Sequence, residues 1–413
     1  MKVLVIGSGG REHAICWKIS QSPRVDKIFC APGNGGTDIV DKCSNLNITD
    51  IDGLIDFASK ENIDLTVVGP EGPLTEGIVD KFKSKGLKIF GPSLKAAQLE
   101  GSKIYSKDFM KKYGIKTAEY CTFDDKDSAL KYIENCRYPV VIKADGLAAG
   151  KGVSICQNYE EASTALNDFM VKDIFKGAGK NVVIEEFLEG VEASILTITD
   201  GNIILPFISS KDHKQIYDGG LGPNTGGMGA IAPNPYCSEE VLKDFEKNIM
   251  EPTLRGIQQE NLDYVGIIFF GIMITKKGVY LLEYNVRMGD PETQAVLPLM
   301  KSDFVELIEA AIAGKLREFN LEWKKGASCC VVAASKGYPL KYDTGFKIEG
   351  MEKSSNVFAA GVKKENGQFK TSGGRVLVTY GIGNDLNSAV EAAYCNLKKI
   401  SFPGMYFRTD IGK

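Results

Sequence analysis

The stretch "IKADGLAAGKGV", residues 142–153, decides how the middle of the chain is interpreted, because it closely approaches a phosphate-binding P-loop. A P-loop needs a glycine five positions before the glycine of its Gly-Lys pair, and Ser or Thr directly after the lysine. Asp145 stands at the first of these positions and Gly152 at the last, so a P-loop is excluded. Bare glycine amides and the ammonium of Lys151 still suit a phosphate. A flexible hairpin turn explains the loop equally well, and both interpretations stay open on these residues alone.

The composition bounds the class of protein. The chain has 413 residues, 43% of them hydrophobic and 25% charged, with a net charge of −3, which is typical of a soluble globular protein. Its Lys and Arg residues are scattered, so nucleic acid is not an expected partner. Ten cysteines without a C-x-x-C pair indicate a reducing, cytoplasmic compartment and argue against structural zinc. The longest apolar run, 265–274, is too short to cross a bilayer, so no membrane association is expected.

Apolar strands and helices alternate over the N-terminal residues. Strands are expected at 3–7, 27–31, 64–71 and 88–92, with helices at 11–20, 52–61 and 74–84. This alternation predicts a doubly wound parallel sheet that binds ligands at the carboxyl ends of its strands. A dinucleotide is disfavoured, because Glu12 occupies the third glycine position of "GSGGRE" and the second strand ends in "APGNGG" without an acid. A single phosphate can still bind at the following helix N-terminus.

Hairpins replace this alternation after residue 103. Strands at 138–144 and 152–156 flank the glycine loop, and those at 193–199 and 202–208 are joined by Asp200-Gly201, a strong turn signal. Strands at 265–275 and 278–287 form a further hairpin after a helical stretch near 239–259. The pattern predicts an α+β body, followed by a small α/β unit with a helix near 386–400.

The segment "LLEYNVRMGDPE", 281–292, carries the strongest chemical signal. Side chains alternate faces along a strand, so Glu283, Asn285 and Arg287 share one face. Carboxylate and carboxamide oxygens suit a hard cation such as Mg²⁺, and the arginine can bind a carboxylate or phosphate with two hydrogen bonds. A solvated polar face is the alternative. It is weakened by the next turn, which places Asp290 and Glu292 near the same strand end.

Three weaker signals complete the candidates. The segment 211–230 contains Asp212 and Lys214 ahead of the glycine-rich "NTGGMG", and such long loops within compact domains are usually functional. Glu185 and Glu186 end a predicted strand and point to opposite faces, so one can face solvent while the other lines a cleft, although a surface acid pair is the expected explanation. The two histidines, His13 and His213, lie outside any nucleophile-elbow context and are expected to be loop or binding residues.

The ordered set "VLVIGSGGREHA", "APGNGGT", "VIKADGLAAGKGV", "VIEEFLEGVEAS", "GPNTGGMGA", "LEYNVRMGDPETQ" and "TSGGRVL" resembles the phosphoribosylamine–glycine ligase family, also called glycinamide ribonucleotide synthetase, over nearly the whole chain. The resemblance implies an ATP-grasp fold with an N-terminal domain at 1–102, an ATP-grasp region at 103–320 including a lid subdomain at about 121–190, and a C-terminal domain at 321–413. The loop 145–152 would then close over a triphosphate. The implied reaction joins glycine to 5-phosphoribosylamine with ATP, through glycyl phosphate, in de novo purine biosynthesis.

The resemblance also implies residue roles. Metal ions, Mg²⁺ or Mn²⁺, would be bound by Glu283 and Asn285. Arg287 and Asp212 would be catalytic. ATP would be bound by Lys103, Lys143, Gly150, Lys151, Glu185, Glu186, Phe187, Leu188 and Glu192. The small-molecule substrates would be bound by Gly9, Gly10, Asn34, Asp212, Lys214, Asn224, Gly226, Gly227, Met228, Arg287 and Asp290.

The sequence departs from the family pattern at several positions. Gln215 replaces an arginine, Gly220 an acid, Ala359 a histidine and Met288 a phenylalanine, which puts substrate contacts in question but not the ATP site. Another ATP-grasp carboxylate–amine ligase and a non-catalytic nucleotide-binding protein are the alternatives. The second should have lost Glu283, Asn285 or a phosphate lysine, and all are present. The oligomeric state stays open, with a monomer as one expectation.

Overall fold

The structure is a computed structural model, and it describes residues 1–148 and 151–413. Its largest sheet has nine strands and joins a parallel N-terminal half to an antiparallel half. The parallel half contains the strands Lys2–Gly7, Lys27–Pro32, Cys43–Asn45, Leu65–Val68 and Ile89–Pro92. Its α-helices are Gly10–Ser20, Ile51–Glu61, Glu71–Thr75, Ile78–Ser84 and Leu94–Gly101.

This N-terminal region confirms the doubly wound parallel sheet. Separate hydrophobic clusters contain alternate residues of the first strand, Val3 and Val5 in one and Leu4 and Ile6 in the other, as expected for a sheet covered on both faces. The single helix expected at 74–84 is wrong. Two helices stand there, separated at Gly77, whose φ of +78° a helix interior does not allow.

The antiparallel half of the large sheet contains the strand with Glu283 and Asn285, the candidate metal ligands. It contains Val191–Thr199, Ile204–Pro206, Tyr264–Thr275 and Gly278–Asn285. The expected hairpins at Asp200-Gly201 and before Gly278 are both confirmed. Nearby α-helices are Lys103–Lys112, Glu239–Phe245, Glu251–Gln259, Glu292–Val296 and Phe304–Ile312.

A separate four-stranded sheet carries the glycine loop. Its order is Tyr120–Phe123, Val182–Glu186, Val140–Ala144 and Val153–Cys156, all antiparallel, with the helices Lys126–Ile133 and Tyr159–Leu166. The hairpin expected around the loop is therefore confirmed. A hydrophobic cluster of its own, with residues such as Ile142 and Ile184, stabilises this small sheet.

The C-terminal part forms a six-stranded sheet. It contains Lys211–Asp212, Gly229–Ala232, Ala327–Ser335, Val357–Ala359, Arg375–Gly383 and Met405–Tyr406, covered by the helix Leu386–Leu397. Two hairpins lie beside it, Gln215–Tyr217 with Leu221–Asn224 and Val362–Glu365 with Gln368–Thr371. Two strands of the sheet come from the glycine-rich segment 211–230, so this segment is held against the C-terminal sheet rather than forming a free loop.

Candidate functional site

A cavity of about 440 Å³ lies where the central sheet, the four-stranded sheet and the C-terminal sheet meet. Glu283, Asn285 and Arg287 all line it. Glu283 and Asn285 share one face of their strand, as predicted, but the strand ends at Asn285 and not at 287. Arg287 lies in the bend that follows the strand, so strand alternation does not explain its position. On the paired strand, Gly271 stands opposite Glu283, and its missing side chain leaves the carboxylate open to the cavity. The predicted polar face is therefore directed into a cleft and not into bulk solvent.

Positive charges keep Glu283 ionised. Lys103 Nζ lies 3.0 Å from Glu283 Oε2. This ammonium, helped by those of Lys214 and Lys143, outweighs the effect of burial and holds the Glu283 pKa well below its usual range. Arg287 Nη2 donates to Asn285 Oδ1 over 3.1 Å, which fixes the carboxamide beside the carboxylate.

The donor set fits a magnesium ion. Glu283 and Asn285 offer two hard oxygens, and Mg²⁺ in phosphate-binding sites takes few protein ligands because substrate phosphates and water supply the rest. Within residues 1–148 and 151–413 the structure has no cluster of three or more His, Cys, Asp or Glu side chains placed to hold a metal.

Glu185 is not the surface acid that the sequence suggested. Its side chain is 3% exposed, and its two oxygens lie 3.1 Å from Lys107 Nζ and 2.9 Å from Lys143 Nζ. These lysines overcome the burial that would raise the Glu185 pKa, and the net shift is downward. The neighbouring Glu186 is exposed, as strand alternation requires. The expectation of a surface pair was wrong because the partners of Glu185 come from other elements.

The strand end at Glu186 opens one side of the cavity. Phe187 and Leu188 line it together with Val141, Ile155, Met273 and Leu282. An apolar slot of this kind suits a flat aromatic base. Glu192 also lines the cavity, where its carboxylate pairs with Lys214 over 2.6 Å.

The glycine loop forms another wall. Asp145 Oδ1 accepts hydrogen bonds from Ser102 Oγ and the backbone N–H of Ile104, which ties the loop to the N-terminus of the helix Lys103–Lys112. Gly146, Leu147, Ala148 and Gly152 line the cavity. Lys151 does not, since its Nζ lies 3.4 Å from the carbonyl oxygen of Pro339. The remaining candidate of this loop, Gly150, lies outside the described residues.

A further part of the cavity lining contains both acidic and basic groups. Its residues are Asp212, Lys214, Asn224, Gly226, Arg287, Asp290, Glu292 and Arg375. Burial, reinforced by the charge of Glu292, raises the Asp212 pKa well above its usual range. Glu292 is 5% exposed and accepts a hydrogen bond from Ser194 Oγ. Two carboxylates that repel in this way retain a proton readily.

Arg287 and Arg375 organise this side of the site. Arg287 Nη2 lies 2.9 Å from Glu100 Oε1, and its Nε lies 3.2 Å from Glu71 Oε2. Arg375 binds the carbonyl oxygen of Gly226 and, over 2.9 Å, Asp290 Oδ2. Sequence reasoning missed the side chains of Glu71, Glu100 and Arg375. The motifs that contain them gave them no role, since their partners lie far along the chain.

Other candidates lie outside the main cavity. Gly9 caps the helix Gly10–Ser20 and donates its backbone N–H to Glu12 Oε2 over 2.6 Å. Gly10 follows it within the helix, where an added Cβ would lie 2.7 Å from Gln294 Nε2. Asn34 lines a second cavity of about 520 Å³ between the N-terminal loops and the hairpin near 362–371.

Gly227 and Met228 pack beside the main cavity rather than lining it. Gly227 has a φ of +105°, and an added Cβ would lie 2.6 Å from Asp212 Oδ1, so glycine is needed beside that acid. The Met228 side chain is fully buried in the C-terminal hydrophobic cluster. The side chain of Met228 therefore does not contact a ligand in the main cavity.

The assignment of the histidines as loop or binding residues is wrong for His13, which lies in a helix, whereas His213 lies in the short connection between the strands Lys211–Asp212 and Gln215–Tyr217. His13 lies in the helix Gly10–Ser20, and its Nδ1 accepts the backbone N–H of Ala359 over 2.9 Å. Burial lowers the His13 pKa to about 3 and the His213 pKa to about 4. His213 is buried too, with Nδ1 at 3.2 Å from the carbonyl oxygen of Gly229. Both imidazoles are neutral near pH 7.

Family models match the chain in three consecutive parts. They describe the N domain of phosphoribosylglycinamide synthetase at residues 1–100, its ATP-grasp (A) domain at 101–293 and its C domain at 328–413. The chain is 65% identical to a phosphoribosylamine–glycine ligase of Clostridium acetobutylicum over 414 aligned residues, covering 100% of both. It is 56% identical to that of Fusobacterium nucleatum, covering 100% of this chain and 98% of the relative.

Two solved structures are similar to this chain over nearly its whole length. A crystal structure of phosphoribosylamine–glycine ligase from Thermotoga maritima superposes with a TM-score of 0.88 at 34% identity, covering 100% of both chains. The biotin carboxylase domain of Hydrogenobacter thermophilus 2-oxoglutarate carboxylase, in complex with MgADP, has a TM-score of 0.75 at 17% identity, covering 98% of this chain and 91% of that one. The second likeness shows a shared fold alone. In the part of the chain that the structure describes, no helix is both long enough and apolar enough to traverse a bilayer.

Proposed function

Because this chain belongs to the phosphoribosylglycinamide synthetase family, we propose that its main cavity joins glycine to 5-phosphoribosylamine with ATP. The products are glycinamide ribonucleotide, ADP and phosphate, in de novo purine biosynthesis. The observation that carries the proposal is the convergence of Glu283, Asn285, Lys103, Lys143 and Arg287 on one cavity at the edge of an ATP-grasp sheet.

ATP is placed by charge and shape. The adenine lies in the apolar slot beside Phe187 and Leu188, where backbone groups of 186–188 satisfy its edge, and Glu192 faces the ribose hydroxyls. Lys103 and Lys143 contact the phosphates, and the loop 145–152 covers them.

Glu283 and Asn285 would hold Mg²⁺ or Mn²⁺, which neutralises phosphate charge when bound. Magnesium is supported by the hard oxygen donors of this site. The MgADP complex of the biotin carboxylase domain, which shares the fold, gives further support. Manganese prefers similar ligands, so the choice between the two ions is made by their availability.

The chemistry proceeds through glycyl phosphate. A glycine carboxylate oxygen attacks the γ-phosphorus and ADP leaves, after which the amine of phosphoribosylamine attacks the acyl carbon and phosphate leaves. The guanidinium of Arg287 can orient the glycine carboxylate, once some of its N–H groups are freed from their ion pairs with Glu71 and Glu100. Asp212, which keeps a proton readily, faces the same space and can exchange protons with the amines. A closed loop excludes water from the acyl phosphate.

The phosphate of phosphoribosylamine lies in the second cavity. Its lining includes Ser8, Gly33, Gly35, Lys363 and Lys364, which provide small residues and positive charge. Asn34 Nδ2 donates to the carbonyl oxygens of Ser8 and Ala359 and so holds the two walls together. Gly9 stands between the two cavities, because a Cβ there would be 3.6 Å from Asp290 Oδ2.

A test of this phosphate site needs a variant that does not disturb folding. Gly9→Val is unsuitable, because its Cβ would lie 2.9 Å from the Glu12 carboxylate that caps the helix. Lys364→Gln keeps most of the side-chain volume, with Lys347→Gln, exposed beside Glu349, as the control. We expect the KM for phosphoribosylamine to rise about tenfold in Lys364→Gln alone, with the KM for ATP unchanged. An unchanged KM for phosphoribosylamine would refute this placement.

Two further proposals concern the whole protein. Cytoplasmic localisation is supported by the ten cysteines, all free in the structure, as expected in a reducing compartment. A monomer is the proposed state, and light scattering after size-exclusion chromatography tests it. The activity itself is tested by purified protein with ATP, Mg²⁺ and glycine, where release of ADP should require phosphoribosylamine for sustained turnover.

A further inference from the structure

Lys107 is a buried lysine that the proposed reaction does not use. It lies on the helix Lys103–Lys112, is 2% exposed, and donates to Thr117 Oγ1 over 2.7 Å. Its Nζ lies 3.1 Å from Glu185 Oε1, an ion-pair contact without the direction of a hydrogen bond. The other oxygen of Glu185 holds Lys143 Nζ at 2.9 Å. Two buried ammonium groups therefore share one buried carboxylate.

The charge balance of this triad matters for the nucleotide. A carboxylate paired with Lys143 alone would orient its ammonium but cancel its charge, leaving a neutral pair that attracts phosphate weakly. A second ammonium on the far oxygen restores one net positive charge. Of the two lysines, Lys143 lines the main cavity and Lys107 does not. The restored charge is therefore available to the nucleotide at Lys143.

We propose that Lys107 is a positioning residue for ATP: by neutralising Glu185, it lets that carboxylate orient Lys143 without consuming the charge that binds phosphate. This inference rests on the proposed ATP site. It also assigns the Glu185 side chain to the lysines, so adenine recognition at this strand end falls to residues 186–188.

The surroundings of Lys107 make its charge sensitive to pH. The groups that face it are Glu185, Lys143, Lys103 and the ring of Tyr120, whose centroid lies 5.5 Å from Nζ. Burial is the main cause that lowers the Lys107 pKa to about 8, opposed by Glu185 and reinforced by Lys143 and Lys103. As pH rises through about 8, Lys107 loses its proton, and Glu185 is then left to neutralise Lys143.

The first test measures the affinity of the full-length protein for a non-hydrolysable ATP analogue with Mg²⁺, by calorimetry, in the absence of glycine and phosphoribosylamine. Lys107→Met should weaken binding at least about tenfold, and Lys107→Arg should bind within about threefold of wild type. The matched control is Lys112→Met on the same helix, whose side chain is 62% exposed, and it should bind as wild type does. Wild-type affinity in folded Lys107→Met would overturn the inference.

The second test separates charge from packing. Adding Glu185→Gln to Lys107→Met removes the carboxylate that would otherwise cancel the charge of Lys143, so we expect the double variant to bind the analogue more tightly than Lys107→Met alone. Weaker binding by the double variant would show a packing role and overturn the inference. Both measurements omit glycine and phosphoribosylamine, so they report on ATP binding alone. A negative result for Lys107 would therefore leave the proposed ligase reaction untouched. A protein without ligase activity could equally still show the expected effect of Lys107 on ATP binding.

A third measurement does not depend on how well Lys107→Met folds. Wild-type affinity for the analogue should fall more steeply than that of Lys107→Arg between about pH 7 and pH 9, because arginine keeps its proton. Parallel profiles for the two proteins would contradict a role for the Lys107 charge.

Discussion

Glu283→Gln should abolish most activity while leaving the fold intact. The substitution removes one negative charge from a pair of oxygen donors, Glu283 and Asn285, and keeps the side-chain volume. A metal ion that polarises a transferring phosphoryl group contributes several kcal/mol. Loss of about 3 kcal/mol corresponds to a decrease of about 100-fold in kcat/KM for ATP.

The cost in stability should be small by comparison. The pair that Glu283 forms with Lys103 is partly exposed, with 34% and 22% of the two side chains accessible. Breaking such a pair costs about 1 kcal/mol or less, and the Tm should shift by no more than about 4 °C. This difference between activity and stability is what distinguishes a metal ligand from a structural acid at this position.

The assay follows ADP release while Mg²⁺ is titrated, with glycine, ATP and phosphoribosylamine saturating. Glu283→Gln should need much more Mg²⁺ to reach half of its reduced maximum. Glu239→Gln, whose side chain is 91% exposed, is the matched control and should behave as wild type. Unchanged turnover of Glu283→Gln at limiting Mg²⁺ would refute the assignment of this carboxylate to the metal.

Three further predictions follow from the loop, a buried histidine and the arginine of the site. ATP with Mg²⁺ should protect the segment 145–152 from proteolysis. Gly152→Val should lose this protection, because its Cβ would lie 2.7 Å from that of Ala148. Equal cleavage with and without nucleotide would exclude a closing lid. His13 has a pKa of about 3 in the folded protein against 6.5 when exposed, so the stability contributed by its neutral form is full above pH 6.5 and declines as pH falls towards 3. Melting temperatures of His13→Gln should accordingly vary less between pH 7 and pH 4 than those of wild type, and identical slopes would contradict the shift. Arg287→Lys should raise the KM for glycine about tenfold and leave ATP affinity nearly unchanged, because an ammonium cannot make the two parallel hydrogen bonds of a guanidinium. A normal KM for glycine would show that Arg287 does not bind this substrate.

Local pattern predicted much of the fold and part of the site. The period of two along the strand Gly278–Asn285 placed Glu283 and Asn285 on one face, and the turn at Asp200-Gly201 predicted its hairpin. Both depend on residues that are neighbours in sequence. The pairing of Glu185 with Lys107 and the contact of Arg375 with Asp290, 85 positions away, depend on how separate sheets pack. Burial of His13 against Ala359 was missed for the same reason, since its partner is 346 residues distant.

Isotope transfer from glycine tests the central claim most directly. Wild-type protein is incubated with ATP, Mg²⁺, phosphoribosylamine and glycine carrying ¹⁸O in both carboxyl oxygens, and the products are analysed by mass spectrometry. Phosphorylation of the carboxylate followed by amine attack predicts glycinamide ribonucleotide with one ¹⁸O and an inorganic phosphate with the other. Phosphate without ¹⁸O, or ADP formed without glycinamide ribonucleotide, would contradict an acyl phosphate ligase at this cavity.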